Sequence, residues 1–187
     1  MWWPDIRATR PIRLLAVFAI AGLTAGCFQP LYGEHSIAGG NESVAQAMRG
    51  VDIPQLKTPR GTRLDRVGFQ VRNDLIFGLT GGGGAAPPTH KLEIGLNSSQ
   101  QQIILDINTG IANVQNYGID ATYTLTDLAT GKVVVRGLTS SRVSYNIPGE
   151  QQRFASDRGL RDAEDRAASV IAESIRNRLA SYFTAGT

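Results

Sequence analysis

Ile119-Asp120-Ala121-Thr122-Tyr123-Thr124-Leu125-Thr126-Asp127-Leu128-Ala129-Thr130-Gly131-Lys132-Val133-Val134-Val135 contains both the period and the turn that set the architecture of this chain. Ile119, Ala121, Tyr123 and Leu125 alternate with more polar positions, as a strand with one buried face requires. Asp127 to Lys132 breaks the alternation, and Gly131 can take the positive φ that a tight hairpin turn needs. Val133 opens a return strand that runs towards Tyr145. Two long antiparallel strands joined at 127–132 are the expectation.

Working outward, Leu92, Ile94 and Leu96 show the same two-residue period, and Ile103, Leu105 and Ile107 repeat it. The intervening Ser98-Ser99-Gln100-Gln101-Gln102 predicts a bulge or turn. Further upstream, Val51 and Ile53 form a short strand pattern that Pro54 limits to an edge. From Thr62 the period changes. Leu64, Val67, Val71, Leu75 and Leu79 mark one stripe of an amphipathic helix with Thr62 as its N-cap, ended by Gly81 to Gly84. The Gly81–Pro88 run lacks the Gly-Lys-Ser/Thr ending of a phosphate loop and reads as a connector. A final helix is traced by Leu160, Ala163, Ala167, Val170, Ile171, Ser174, Ile175, Arg178, Leu179 and Tyr182, with Ser156 or Asp157 as its N-cap. Strand, helix, several strands and helix make an α+β two-layer sandwich: a mainly antiparallel four-stranded sheet with two helices packed on one face.

The N-terminus has a different character. Arg7, Arg10 and Arg13 precede the apolar run Leu14–Leu23, and Leu23-Thr24-Ala25-Gly26 leads to Cys27, the only cysteine. This is the layout of a bacterial secretory signal ending at a lipidated thiol, although Thr24 stands where a lipobox usually has Leu. About ten apolar residues are too few to span a bilayer, which takes about 20. The expected organisation is a signal peptide over 1–26, a lipidated tether over 27–43, one α+β domain over 44–184 and a short tail over 185–187. The full chain carries 19 Lys+Arg and 16 Asp+Glu, net +3. Residues 1–26 hold three Arg and one Asp, so the mature chain has 16 basic and 15 acidic residues and is nearly neutral. Nucleic-acid binding thereby loses its electrostatic support.

No constellation of acid, base, nucleophile or metal ligands stands out. His35 falls in the tether and His90 beside Pro87-Pro88, so both read as solvated loop histidines rather than supported catalytic groups. There is no Gly-x-Ser-x-Gly elbow and no zinc-type spacing. The sequence thus points to a binding or structural role, not an enzyme. Three cation groups remain: Lys57, Arg60, Arg63 and Arg66; Lys132, Arg136 and Arg142; and Arg153, Arg158 and Arg161. Asp157, Asp162, Glu164 and Asp165 lie near enough to neutralise Arg158, Arg161 and Arg166 locally. The hairpin group has only Asp127 between Ala121 and Pro148, so Lys132, Arg136 and Arg142 are the candidates for an anionic sugar-phosphate.

The junction Ala25-Gly26-Cys27-Phe28-Gln29-Pro30-Leu31-Tyr32-Gly33 precedes an α+β domain with a Thr/Ser-rich hairpin and a terminal amphipathic helix. In this layout the chain resembles the LptE-type lipopolysaccharide-assembly lipoproteins of alphaproteobacteria. Members often read Cys-Gly-Phe at the junction, and that Gly is missing here. The resemblance implies an outer-membrane lipoprotein on the periplasmic side, carrying diacylglycerol and an N-acyl chain such as palmitate on Cys27. It implies a protein that plugs the LptD β-barrel, helps it assemble and binds lipopolysaccharide, with no catalytic residue, metal or further cofactor. Phe28 rather than Asp after the cysteine agrees with outer-membrane delivery, and a Thr/Ser/Asn/Gln-rich strand region suits the polar lumen of a barrel. The alternatives are an auxiliary lipoprotein of a lipid ABC-transport system and a lipid-tethered periplasmic hydrolase.

Overall fold

The computed structural model describes residues 43–103, 114–147 and 153–185, all within the compact unit Glu34–Thr187. The expected signal over 1–26, Cys27, His35 and most of the expected tether over 27–43 lie outside the described residues, as do Leu105, Ile107 and Thr187. The elements are α1 (Val44–Arg49), β1 (Val51–Asp52), α2 (Arg63–Thr80), β2 (His90–Ile103), β3 (Val114–Asp127), β4 (Val133–Asn146) and α3 (Arg153–Ala185). They form an α+β structure whose four strands run in the order β1-β2-β3-β4. The β1–β2 pair is parallel and the β2–β3 and β3–β4 pairs are antiparallel.

The hairpin forms as its sequence requires. Asp127 accepts from the backbone of Ala129 at 2.8 Å, Gly131 takes φ 68°, and its N–H donates to the Asp127 carbonyl. Leu125 pairs with Val135 and Val114 with Asn146, so the two strands match over their whole length, with one irregularity at Leu125/Thr126. The expected break at Ser98–Gln102 does not occur. β2 runs through it without interruption, because each of these polar residues pairs with a β3 residue from Ile119 to Gln115. Long cross-strand pairing outweighs weak local propensity there.

α2 starts at Thr62 as the sequence predicts. Thr62 Oγ1 accepts from the Asp65 N–H, and the Asp65 carboxylate accepts from Thr58 Oγ1 at 2.8 Å and from the Gly61 N–H at 3.0 Å. The Thr58 bond, followed by that of Gly61, holds the Asp65 carboxyl below its ordinary range. Gly81 ends the helix in the left-handed conformation at φ 63°. Sequence periodicity does not reveal α1, a six-residue helix capped by Ser43, so the described residues form three helices where two are expected. α3 begins at Arg153, upstream of the expected Ser156/Asp157 cap.

One face of the sheet packs against the helices. Its row in β3 is Tyr117, Ile119, Ala121, Tyr123 and Leu125, all buried, flanked by Leu92 and Ile94 of β2 and Val135 and Tyr145 of β4. From the helices come Val67, Val71, Leu75 and Leu79 of α2 and Leu160, Ala167, Ile171, Ile175 and Leu179 of α3. The buried stripe of α3 differs from the expected one. Val170 is half exposed, whereas Glu164, Ala168 and Ala172 are buried. The reason is a second contact: α3 packs on α2 as well as on the sheet. Arg66 meets Glu164, and Arg176 lies against Gly78, so equal steps along both helices mark a parallel pair. Small alanines on that flank let the axes approach.

His90 is also placed differently from its sequence reading. It is the first residue of β2 rather than a loop residue, half-buried, with its ring edge-on to Phe183 at 5.2 Å and Nδ1 2.9 Å from Thr89 Oγ1. Burial pushes its pKa below the ordinary 6.5, with Asp127 opposing the shift. The folded state therefore binds the proton less readily than the unfolded chain, so this contribution to stability is full above about pH 6.5 and is lost as pH falls towards the folded value. Melting temperature is expected to decline between about pH 7 and pH 5 more steeply for the native chain than for His90→Gln. Parallel profiles would show that the imidazole carries none of the dependence.

Candidate functional site: the open face of the sheet

The second face of the sheet carries no described helix. The strand register makes it a polar field: Glu93, Asn97 and Ser99 on β2; Thr124, Thr122, Asp120 and Asn116 on β3; Arg136, Ser140, Arg142 and Ser144 on β4. Hydroxyl and amide side chains dominate because every second residue of these strands must meet water. Cross-strand bonds order the field, such as Ser144 Oγ donating to Asn116 Oδ1 at 2.6 Å.

Arg142 is fixed within this face. Its Nη2 donates to both carboxylate oxygens of Asp120 at 2.9 and 3.0 Å, and Nη1 donates to the carbonyls of Ile119 and Ser141. The side chain can lie this flat because residue 118 is glycine: a Cβ there would stand 2.8 Å from both Arg142 Cδ and Ser99 Oγ. Asp120 lies one residue before the Ala121–Pro148 stretch in which Asp127 is the only acid, so sequence proximity to the hairpin cations does not single it out. Only the register, which sets Asp120 against Ser140 beside Arg142, reveals the pair.

The three hairpin cations do not converge. Lys132 lies in the turn, Arg136 pairs across from Thr124, and Arg142 from Gly118. At roughly 3.3 Å per residue, Lys132 and Arg142 are about 33 Å apart along β4, and Arg136 and Arg142 about 20 Å. No single phosphate can bridge them. Arg136 and Lys132 are exposed and their side chains form no ion pair among the described residues, so each presents a separate positive point.

At the β2 side of the same face lies a groove of about 380 Å³, walled by Pro54, Leu56 and Lys57 and floored by Gly95, Thr122 and Thr124. Lys91 pairs with Glu93 at 3.0 Å beside it. The Lys91 hydrogen bond and charge hold the Glu93 carboxyl below its ordinary range. Gly95 keeps the floor clear, since a Cβ there would come within 2.9 Å of Thr122 Oγ1. Lys57, grouped in the sequence with Arg60, Arg63 and Arg66, is thus separated from Arg66, which pairs with Glu164 and Asp165 of α3. Sequence proximity pairs those two acids with local arginines of α3, where Arg166–Asp162 at 2.8 Å does form.

Among the described residues no three His, Cys, Asp or Glu side chains group as metal ligands, and no helix is long and apolar enough to cross a membrane. The arrangement offers hydroxyls, amides and separated charges on a broad, shallow surface. That chemistry suits contact with sugars, phosphates or the polar wall of another protein.

A putative lipoprotein from Caulobacter crescentus has a similar fold, with a TM-score of 0.60 at 21% identity over 77% of this chain and 97% of that one. The rare lipoprotein B from Shewanella oneidensis aligns over 71% of this chain and 92% of its own, at 14% identity and a TM-score of 0.49. A search of curated protein sequences finds no match. The family model described as LptE, lipopolysaccharide-assembly, matches residues 48–179. That span runs from the end of α1 almost to the end of α3 and contains the whole sheet with its open face, so the chain belongs to the LptE lipopolysaccharide-assembly family.

Proposed function

We propose that the protein is an outer-membrane lipoprotein, acylated at Cys27, that plugs and helps assemble an LptD-type β-barrel and binds lipopolysaccharide in transit. It acts on the periplasmic side as a non-catalytic partner, needing no cofactor beyond its acyl chains. The observation that carries this reading is the open polar sheet face within a chain of the LptE family. A plug must meet a barrel lumen lined with polar side chains, and a Thr/Ser/Asn surface can do so without a large apolar patch. Lys132 and Arg136 can each take one anionic group of a large glycolipid, and Arg142 can do so by exchanging its bond to Asp120.

Affinity capture of the tagged full-length chain from cells is expected to recover a large outer-membrane barrel. Recovery of an inner-membrane transport complex without the barrel would defeat the partnership. Neutralising Lys132, Arg136 and Arg142 together is expected to weaken lipopolysaccharide retention by the purified protein at least ~ten-fold, since even one charge-assisted contact is worth about 1.5–3 kcal/mol. Unchanged retention would remove these residues from the binding surface.

A further inference from the structure

The outer edge of β4 has a property that its sequence hides. In an extended strand the N–H and C=O of one residue point to the same side, and successive residues alternate. Asp127 donates to Lys132, which directs the odd residues of β3 towards β4, and Leu125 pairs with Val135. From Val135 onward the odd residues of β4 therefore bond inward. The backbone groups of Arg136, Leu138, Ser140, Arg142 and Ser144 face outward. β4 ends the strand order, and among the described residues no backbone group bonds to this row.

Natural sheets normally guard such an edge with a short strand, a bulge, proline or lysine. None of these occurs between Val135 and Asn146, where the register is unbroken. Arg142 is drawn across the sheet to Asp120, and Arg136 is the one remaining charge on this stretch. The two flanks of the edge also differ. On the open side Leu138 is 70% exposed among polar neighbours. On the helical side Val170 is 48% exposed and lies one turn from Ser174, whose hydroxyl accepts from Thr139 of β4; half-buried Val143 lies nearby along the strand. A strand added here would need polar residues on one face and an apolar residue on the other. This alternation is the pattern of a β-barrel wall strand, for which about 9–11 residues cross a membrane. The opposite edge is less accessible, because β1 occupies its start and Pro54–Lys57 stands beside it.

We infer that the outer edge of β4 from Arg136 to Ser144 is a strand-addition site for an extended, alternating segment of the barrel partner. The inference rests on the barrel partnership proposed above. Backbone bonds supply the attraction, and the polar and apolar flanks select which way the added strand faces. A closed barrel has no free edge, so the segment is one whose own edge is open, as in a barrel that has not yet closed.

Proline tests the site directly, because at an outward-facing position it removes a donor to the partner and leaves the bonds to β3 in place. Full-length chains carrying Leu138→Pro or Ser140→Pro, expressed in place of the native copy, are expected to melt near the native temperature and recover about ten-fold less barrel. Leu138→Lys and Ser140→Lys, which guard an edge without restricting the backbone, decide the matter if the prolines perturb the fold. A photo-crosslinker at Ser140 of the otherwise native chain is expected to capture the barrel. Undiminished recovery with folded edge variants would overturn the inference and leave the partnership standing; capture of a second copy of this chain from Ser140 would also overturn it. If the native chain recovers no barrel, the partnership itself fails, and the strand-addition site falls with it.

Discussion

Arg66→Met is expected to lower the stability of the folded chain by about 3 kcal/mol, near the low end for breaking a buried ion pair because the arginine itself is half exposed. Its partner Glu164 is only 1% exposed and lies against the α2–α3 contact, with Asp165 3.3 Å from the same guanidinium. A carboxylate brought into that contact loses most of its water and depends on Arg66 for compensation. Removing the arginine leaves the desolvation cost in place, which is why the single change costs more than the pair contributes. The double variant Arg66→Met, Glu164→Met removes both charges and is expected to return to within about 1 kcal/mol of the native chain. Urea unfolding of the three proteins checks both statements. A single variant as stable as the native chain would show that Glu164 is solvated or held by another group.

Gly137→Ala is expected to destabilise by about 2 kcal/mol, and Gly137→Val by more, through overpacking. Intrinsic strand preference predicts the opposite sign, since both residues favour β structure over glycine. The reason for the reversal is Tyr123, which pairs directly opposite Gly137 and lays its ring across the position that a Cβ would occupy. The hydroxyl and Cζ would overlap the new carbon, and Cε1 would lie 3.0 Å from it. Tyr123 is buried beneath the helical layer, so the ring cannot swing into solvent without opening the core. An aromatic covering a strand glycine is a known way to pin register. In a Tyr123→Leu background the alanine substitution is expected to become neutral or stabilising, and a thermal melt of the four proteins measures the coupling. Equal costs in both backgrounds would show that the ring is not the obstacle.

Both effects involve pairs remote in sequence, and this separates what could be read beforehand from what could not. The hairpin, the Thr62 cap, the Gly81 stop and the alternation of β3 are local, and each follows from backbone freedom or a short period in the chain. The uninterrupted course of β2 through Ser98–Gln102 was not legible, because its cause is pairing with residues 115–119. His90 was misplaced for a similar reason: Phe183 and the parallel pairing of β1 make it a half-buried strand residue. At the open face, Lys132, Arg136 and Arg142 could be picked out as cations. Their separation, and the commitment of Arg142 to Asp120, required the register.

The sequence by itself determined the α+β class, the long hairpin and both amphipathic helices, because periodicity and turn chemistry are properties of neighbouring residues. Only the tertiary structure decided that α2 and α3 run parallel over a buried Glu164, that Tyr123 covers Gly137, and that no other described strand pairs with the outer edge of β4. These features depend on which residues the chain brings together across tens of positions. The physical reason is that side-chain burial and backbone pairing are satisfied between elements, and no local pattern states which element supplies the partner.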